Sequence, residues 1–391
     1  MDYFEMLSAL ELSLIGIAAA TFIVQVLYYR ITYLRPCRMA QSNDSSAGCA
    51  QPPLSVVIYS NNESANLREN LPLWLGQDYP QYEVIVINDG STDESDDVLK
   101  LFENEYPNLY HTFIPQESRY LSRRKLSLTI GIKAAKHDIL LFTEAACRPL
   151  SDRWLASMAR NYTGKTDITL GFCAYRTHKG FFHKLVAYDN LLSGVQAISA
   201  TLARRPYSGD GRNLSYRKAL FYEHKGYSHS LGLHAGDDDL FVNEFATGEN
   251  TRVEYSGDSI TSVAPFDCFE AWREMKVSRA ATRRYFKGDR TAFYRAERYS
   301  SAAFILSAVA LILVGALAGN PVTVAAGFTL YFFLYVIKAV TLERLSALLQ
   351  QHPSTAMLPL LEMAALFAGL YVGVYRLFDR RRAYTFTIGG K

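Results

Sequence analysis

Cysteine is scarce in this chain and follows no pattern. The five residues, Cys37, Cys49, Cys147, Cys173 and Cys268, are odd in number and include no C-x-x-C pair. That excludes a disulfide framework and a cysteine zinc site, and fits a reducing compartment. Neither sign of charge is in excess. Lys and Arg number 41 against 38 Asp and Glu, a net +3, so no nucleic-acid partner is expected. The polar middle of the chain lacks runs long enough to cross a bilayer. Such runs are confined to the two ends.

The first is ELSLIGIAAATFIVQVLYY, Glu11 to Tyr29, long enough to span. Arg30, Arg35 and Arg38 follow it. A secretory signal carries its charge before the apolar run, so residues 1–38 read as an uncleaved anchor whose C-terminal end faces the cytosol. Residues 39–53, with MAQSNDSSAGCAQPP, read as a linker. A C-terminal membrane region, 297–391, holds two or three apolar segments. One runs from Ser301 to Gly319, Asn320-Pro321 breaks it, a second reaches Ile337, and a third spans Met357 to Tyr375. KAVTLERLSALLQQHP has a polar face and is expected to lie on the membrane as a separate interfacial helix. The basic tail RLFDRRRAY favours the cytosol. Lys338 and Glu362 inside the apolar segments raise a transporter reading, which the small number of spans and the large polar domain oppose.

The middle, 54–296, alternates strand and helix. LSVVIYS and YEVIVIND are apolar strands. NNESANLRENLPLWLGQ and GSTDESDDVLKLFENEY are helical, the second with Ser91 and Asp93 placed to cap it. This order predicts an α/β domain with a mostly parallel sheet covered on both faces. Ligands of such sheets bind beyond the carboxyl ends of the strands, where Ser60-Asn61-Asn62-Glu63 and Asn88-Asp89-Gly90-Ser91 stand. A carboxylate there can accept from the imino N–H of a base, and free backbone N–H groups suit phosphate. The same residues are ordinary turn formers. A later strand, DILLFTE, ends on Glu144, and Ala146 stands where a partner acid for a metal–phosphate site would be expected. HAGDDDLFVNEF puts Asp237, Asp238 and Asp239 ahead of a helix. One acid suffices as a cap, so three in a row point to chemistry.

Taken together over residues 53–290, these segments resemble the family-2 glycosyltransferases, especially membrane-anchored bacterial members. VINDGSTD is similar to the family's V-V-D-D-G-S-T-D, and GDGRNLSYRK to its G-x-G-x-N-L-A-Y-R-K. The resemblance implies a glycosyltransferase A-type sheet and a nucleotide-sugar donor, most often a UDP-sugar. It places Glu63, Asp89 and Gly90 at the nucleoside, and the basic stretch with Arg124 and Lys125 at the diphosphate. The family's T-D-A-D-C reads Thr143-Glu144-Ala145-Ala146-Cys147 here, which puts its divalent metal, Mg²⁺ or Mn²⁺, in question. Three readings stay open: metal held by Glu144 with phosphate and water, replacement of the metal by Arg123, Arg124 and Lys125, or reduced activity.

Alignment on Asp239-Leu240 implies Asp237 as the base of an inverting transfer, with Asp238 second and Gly236 in place of the family's glutamate. Asn213, Trp272, Lys276 and Arg279 are counterparts of acceptor- or diphosphate-binding positions. The family's Q-x-x-R-W is absent, which argues against a processive polymer synthase. The expected function is sugar transfer to an inner-leaflet, lipid-linked or saccharide acceptor in envelope or extracellular polysaccharide synthesis. The catalytic domain would be cytoplasmic at a bacterial inner membrane. The alternative is a catalytically silent scaffold of such a complex.

Overall fold

The computed structural model describes residues 8–40, 51–115, 122–288 and 291–378. The basic tail beyond 378 and most of the linker lie outside them. Helix α1 (Ala9–Tyr28) opens on a capping box in which Ser8 and Glu11 bond each other's backbone N–H. It runs through a π-helical turn, Tyr29–Tyr33, into the short α2 (Arg35–Ala40).

The α/β domain then builds in register. β1 (Leu54–Ser60), α3 (Ser64–Leu75), β2 (Tyr82–Asn88), α4 (Ser95–Glu105), β3 (Leu109–Phe113), α5 (Arg123–Ala134) and β4 (Ile139–Glu144) alternate along the chain. β5 (Cys147–Pro149), α6 (Trp154–Ala159), β6 (Ile168–Leu170), β7 (Cys173–Tyr175) and the long α7 (Phe181–Leu202) follow. β8 (Leu214–Arg217), α8 (Lys218–Glu223), α9 (Asp239–Phe245), β9 (Thr251–Val253), β10 (Thr261–Val263) and α10 (Phe269–Thr282) complete the domain. The main sheet has the order β3-β2-β1-β4-β8-β6-β9, with β8 antiparallel to both neighbours and the other pairs parallel. A small sheet, β5-β10-β7, sits beside it.

Alternation explains the two-sided cover. Val56, Ile58, Val84 and Val86 face Leu67, Leu71 and Trp74 on one side, while Val57, Ile85 and Ile87 meet Leu128 and Ile132 on the other. The strand order reverses between β1 and β4, so the crevice beyond their carboxyl ends is the place for a ligand. There Tyr59 lies directly opposite Glu144 in the parallel register.

Among the described residues four helical stretches are long and apolar enough to cross a membrane: Ala9–Ala40, Ala292–Leu317, Pro321–Leu349 and Thr355–Phe378. They contain α1 with α2, then α11 (Ala292–Leu317), α12 (Pro321–Leu349) and α13 (Leu358–Phe378). The expected interfacial helix is not separate. Its residues continue α12, because Leu342, Leu345 and Leu349 are buried in the core shared with the α/β domain. The next residue but one, Gln351, accepts the Tyr175 N–H at 2.7 Å and anchors the helix end to β7.

Candidate active site

The loops after β1 and β2 brace each other. Asp93 accepts the N–H groups of Ser64 (2.9 Å) and Ser95 (3.1 Å), Ser91 accepts from Asn62 (2.8 Å), and Ser95 Oγ accepts from Glu63 (3.2 Å). The DGSTD loop therefore caps α3 as well as opening α4, a stronger role than the expected cap of one helix. Gly90 sits at φ +63°, which turns the chain away after Asp89. Asp89 is buried; it accepts from the Tyr59 hydroxyl at 2.9 Å and pairs with Arg123 at 2.7 Å. Glu63 is half-buried beside Asn66, and burial first, then the fields of Glu144 and Asp93, raises its carboxyl above the usual range.

A cavity of about 410 Å³ lies next to this loop pair. Arg124 stands across it. Its Nη2 meets Glu144 at 2.7 Å, its Nε donates to Asp237 at 2.9 Å, and its guanidinium lies over the Tyr59 ring at 4.8 Å from the centroid. The acid missing at Ala146 thus has a counterpart from far along the chain: Asp237 faces Glu144 through one cation. Tyr59 joins the Asp89 loop to Arg124. Tyr59→Phe keeps the ring and loses the bond to Asp89, so it is expected to weaken nucleoside diphosphate binding several-fold by calorimetry, with the fold intact.

The three acids divide the work. Gly236 adopts φ +95° and an added Cβ would meet Leu240 Cβ at 3.1 Å, so this backbone excludes the family's glutamate. Asp237 is buried against Arg124. Asp239 is buried, accepts from Thr282 Oγ1 at 2.6 Å, and keeps its Oδ1 without a hydrogen bond among the described residues. Asp238 alone is partly exposed to the cavity. It accepts the N–H groups of Gly211 (2.9 Å) and Asp239 (2.6 Å), so it does cap α9. Burial first, and then Asp237 and Asp239, push its carboxyl up to about 7. Opposite, Arg212 holds Asp210 at Nε (2.9 Å) and Arg279 adds a contact at 3.3 Å. Burial disfavours the Asp210 anion, but the two guanidiniums outweigh it and hold the carboxyl below the usual range. Neither Asp210 nor Arg212 stood out in the sequence; the G-x-G spacing around Asp210 was the available signal.

Other expected residues point elsewhere. Lys125 Nζ donates to the carbonyls of Ser230 and Leu233, fastening the segment that leads into the acids. Burial lowers its ammonium to about 8, against the pull of Asp237 and Asp239. Asn213 is buried, donating to the carbonyls of Phe172 and Ser259 and accepting from Trp154 Nε1. Trp272 packs against Phe182 and Phe269. Lys276 pairs with Asp189 through both carboxylate oxygens, at 2.6 and 2.8 Å. These four position the site rather than line its cavity. Arg279 does line it.

A divalent metal can be tested against this donor set. Five carboxylates, Glu144, Asp210, Asp237, Asp238 and Asp239, line the cavity with three guanidiniums, Arg124, Arg212 and Arg279. Even with Asp238 and Asp239 protonated no positive charge is left over for a diphosphate. Arg123 is spent on Asp89, and Lys125 is turned away. No ready-made cluster of three metal-binding side chains is present among the described residues. A metal arriving with phosphate needs only one or two carboxylates. Glu144 and Asp237, already bridged by a cation, fit that need.

The switch-point crevice, the braced DGSTD loop and the acidic helix start thus gather at the carboxyl ends of the strands. Residues 55–222 match the family model described as Glycosyl transferase family 2, and this part of the chain is a domain of that family. Glycosyltransferase AglE of Haloferax volcanii is 32% identical over 107 residues, 27% of this chain, and the match spans 33% of that relative's length. The fold is similar to that of the mannosyltransferase PcManGT from Pyrobaculum calidifontis in complex with GDP-Man and Mn²⁺, with a TM-score of 0.56 and 18% identity. That likeness covers 95% of this chain and 100% of the other.

Proposed function

We propose that this chain is an inverting glycosyltransferase that moves a sugar from a nucleotide-sugar donor to an acceptor presented at the inner leaflet of a bacterial inner membrane. The α/β domain would be cytoplasmic, and envelope or extracellular polysaccharide synthesis is the setting. The observation that carries this is the single cavity in which Arg124 bridges Glu144 to Asp237 while Asp238 faces the same space.

The nucleoside sits over Asp89 and Glu63, its base N–H groups drawn to Asp89 beside that residue's pair with Arg123. The diphosphate lies at Glu144 and Arg124. A bound Mg²⁺ or Mn²⁺, held by Glu144 and Asp237, would supply neutralisation of the two phosphates. The acceptor hydroxyl attacks C1 of the donor sugar, its proton passes to Asp238, and the C1–O bond to the diphosphate breaks as the nucleoside diphosphate leaves. A single in-line displacement inverts C1. Asp238 is favoured over Asp237 as the base because Asp237 is neutralised by Arg124, whereas a carboxylate near 7 suits proton transfer at neutral pH.

Calorimetry of UDP and of GDP with the full-length protein in detergent, first with Mn²⁺ and then with EDTA, tests the reading. Binding of one of them in Mn²⁺, weakened by EDTA, is expected. Binding of neither would overturn it and favour the silent scaffold, which the alanine at 146 otherwise suggests.

A further inference from the structure

The small sheet ends on β7, which pairs with β10 along one edge. Its residues are buried, so the backbone groups on the other edge need partners. Two side-chain amides supply them where a further strand would. Asn190 of α7 donates from Nδ2 to the Cys173 carbonyl at 2.9 Å. Gln351 accepts the Tyr175 N–H on Oε1 at 2.7 Å and donates from Nε2 to the Tyr175 carbonyl at 3.3 Å. The two amides also meet, Asn190 Nδ2 donating to Gln351 Oε1 at 3.1 Å.

Gln351 comes from the membrane region. α12 has 29 residues. At about 1.5 Å per residue that is about 43 Å, against about 30 Å for a hydrocarbon core. Its last turns therefore reach past a bilayer, and Leu342, Leu345 and Leu349 seat them in the core of the α/β domain. Gln350 then closes the helix at φ +51°, a left-handed conformation that costs a residue with a Cβ some energy. The turn carries Gln351 against β7, where it is 2% exposed.

From this pair of amides the contacts lead to the large cavity. Asn190 Oδ1 accepts from Arg212 Nη2 at 3.3 Å. The Arg212 guanidinium also lies over the Tyr175 ring, 5.0 Å from its centroid. Gln351 thus holds both residues on which Arg212 rests, and Arg212 holds Asp210 on the cavity wall. The Asp210 carboxylate accepts the Arg212 N–H at 3.1 Å, and its carbonyl accepts the Asn213 N–H at 3.0 Å. Gly211, inside that loop, donates its N–H to Asp238.

We propose that Gln351 is a positioning residue for sugar transfer: by fixing Asn190 and Tyr175 it sets Arg212, and through Arg212 the 210–213 loop that bonds Asp238. The C-terminal membrane region then completes the active site as well as anchoring it. This rests on the transfer reading above, since it concerns the same site. Asp89, Glu144 and Arg124 stand outside this line of contacts, so nucleotide binding is spared.

The test uses the full-length protein in detergent with two variants. Gln351→Met fills the space without an amide, and Gln351→Glu keeps the oxygen that accepts from Tyr175 and Asn190. Nucleoside diphosphate released from UDP-glucose or GDP-mannose, water taking the acceptor's place, gives kcat and KM. Hydrogen exchange read by mass spectrometry follows the amides. Gln351→Met is expected to lower kcat about tenfold or more while KM and nucleoside diphosphate affinity stay within about twofold. Its exchange should quicken at Tyr175 and also at 211–213, which Gln351 does not touch. Gln351→Glu should recover most of the loss. Unchanged kcat in Gln351→Met, or no recovery in Gln351→Glu, would overturn the proposal. So would faster exchange confined to 173–176, the result a plain anchor gives. If the intact protein binds neither UDP nor GDP, yet exchange in Gln351→Met spreads to 211–213, the link from α12 to the cavity wall stands and the donor reading fails.

Discussion

Asp238→Asn is expected to lower sugar transfer by about a thousandfold, the usual contribution of a positioned base, while nucleoside diphosphate affinity stays within about twofold. Asp238 accepts the Asp239 N–H on Oδ1 and the Gly211 N–H on Oδ2. Asn has one such oxygen, so it can keep the α9 cap while losing the bond from Gly211, a small cost beside the loss of proton transfer. The pH profile is the sharper readout. The base must be ionised, and burial with two acidic neighbours pushes Asp238 up to about 7. kcat/KM should therefore fall about tenfold per pH unit below that value and level off above it. Asp237→Asn removes one of those negative neighbours and should move the limb to lower pH. A profile flat from pH 5 to 8, or full activity in Asp238→Asn, would return the base to Asp237.

The same shift predicts a stability effect of known sign. The folded state holds the Asp238 proton more tightly than the unfolded chain, whose ordinary value is 3.8. This residue's contribution is complete below 3.8 and is lost as pH rises towards 7. At pH 8 Asp238→Asn is freed of that penalty and should melt at the same temperature or a few degrees higher.

Much of this was legible in the sequence, for definite reasons. Continuous apolar patterns give the β1 and β2 strands, and the turn chemistry of Ser60-Asn61-Asn62-Glu63 and Asn88-Asp89-Gly90-Ser91 marks their carboxyl ends. The apolar segments stand out because each stays mostly apolar for about a bilayer's thickness, with Gln25 inside the first and Glu362 inside the third. What was hidden is where long side chains go. Lys125 and Arg124 are neighbours in one basic run, but on a helix adjacent residues point about 100° apart. One therefore crosses the cavity to Glu144 while the other is buried against the 230–233 carbonyls. Asn213 and Lys276 sit in recognisable motifs, yet their partners, Ser259 and Asp189, are set only by tertiary packing. The fused tail of α12 was misread because its apolar stripe looks the same whether it faces lipid or a protein core.

Glu144→Gln and Asp237→Asn should each weaken Mn²⁺-dependent nucleotide binding on the order of a hundredfold, since each removes a unit charge next to a divalent cation in a partly screened cavity. Arg124→Met separates this reading from the one in which arginine has taken the metal's place. If Arg124 is the substitute, EDTA has no effect on the intact protein, and the variant loses nucleotide binding. If Arg124 instead holds Glu144 and Asp237 together until donor and metal arrive, its removal leaves two facing carboxylates without their shared cation. Mn²⁺ should then bind Arg124→Met even without nucleotide, seen as loss of the free-ion signal in electron paramagnetic resonance, while the intact protein binds it only with nucleotide present. The charge count favours the second outcome: three guanidiniums among five carboxylates leave nothing over for a diphosphate, so a further cation has to come with the donor.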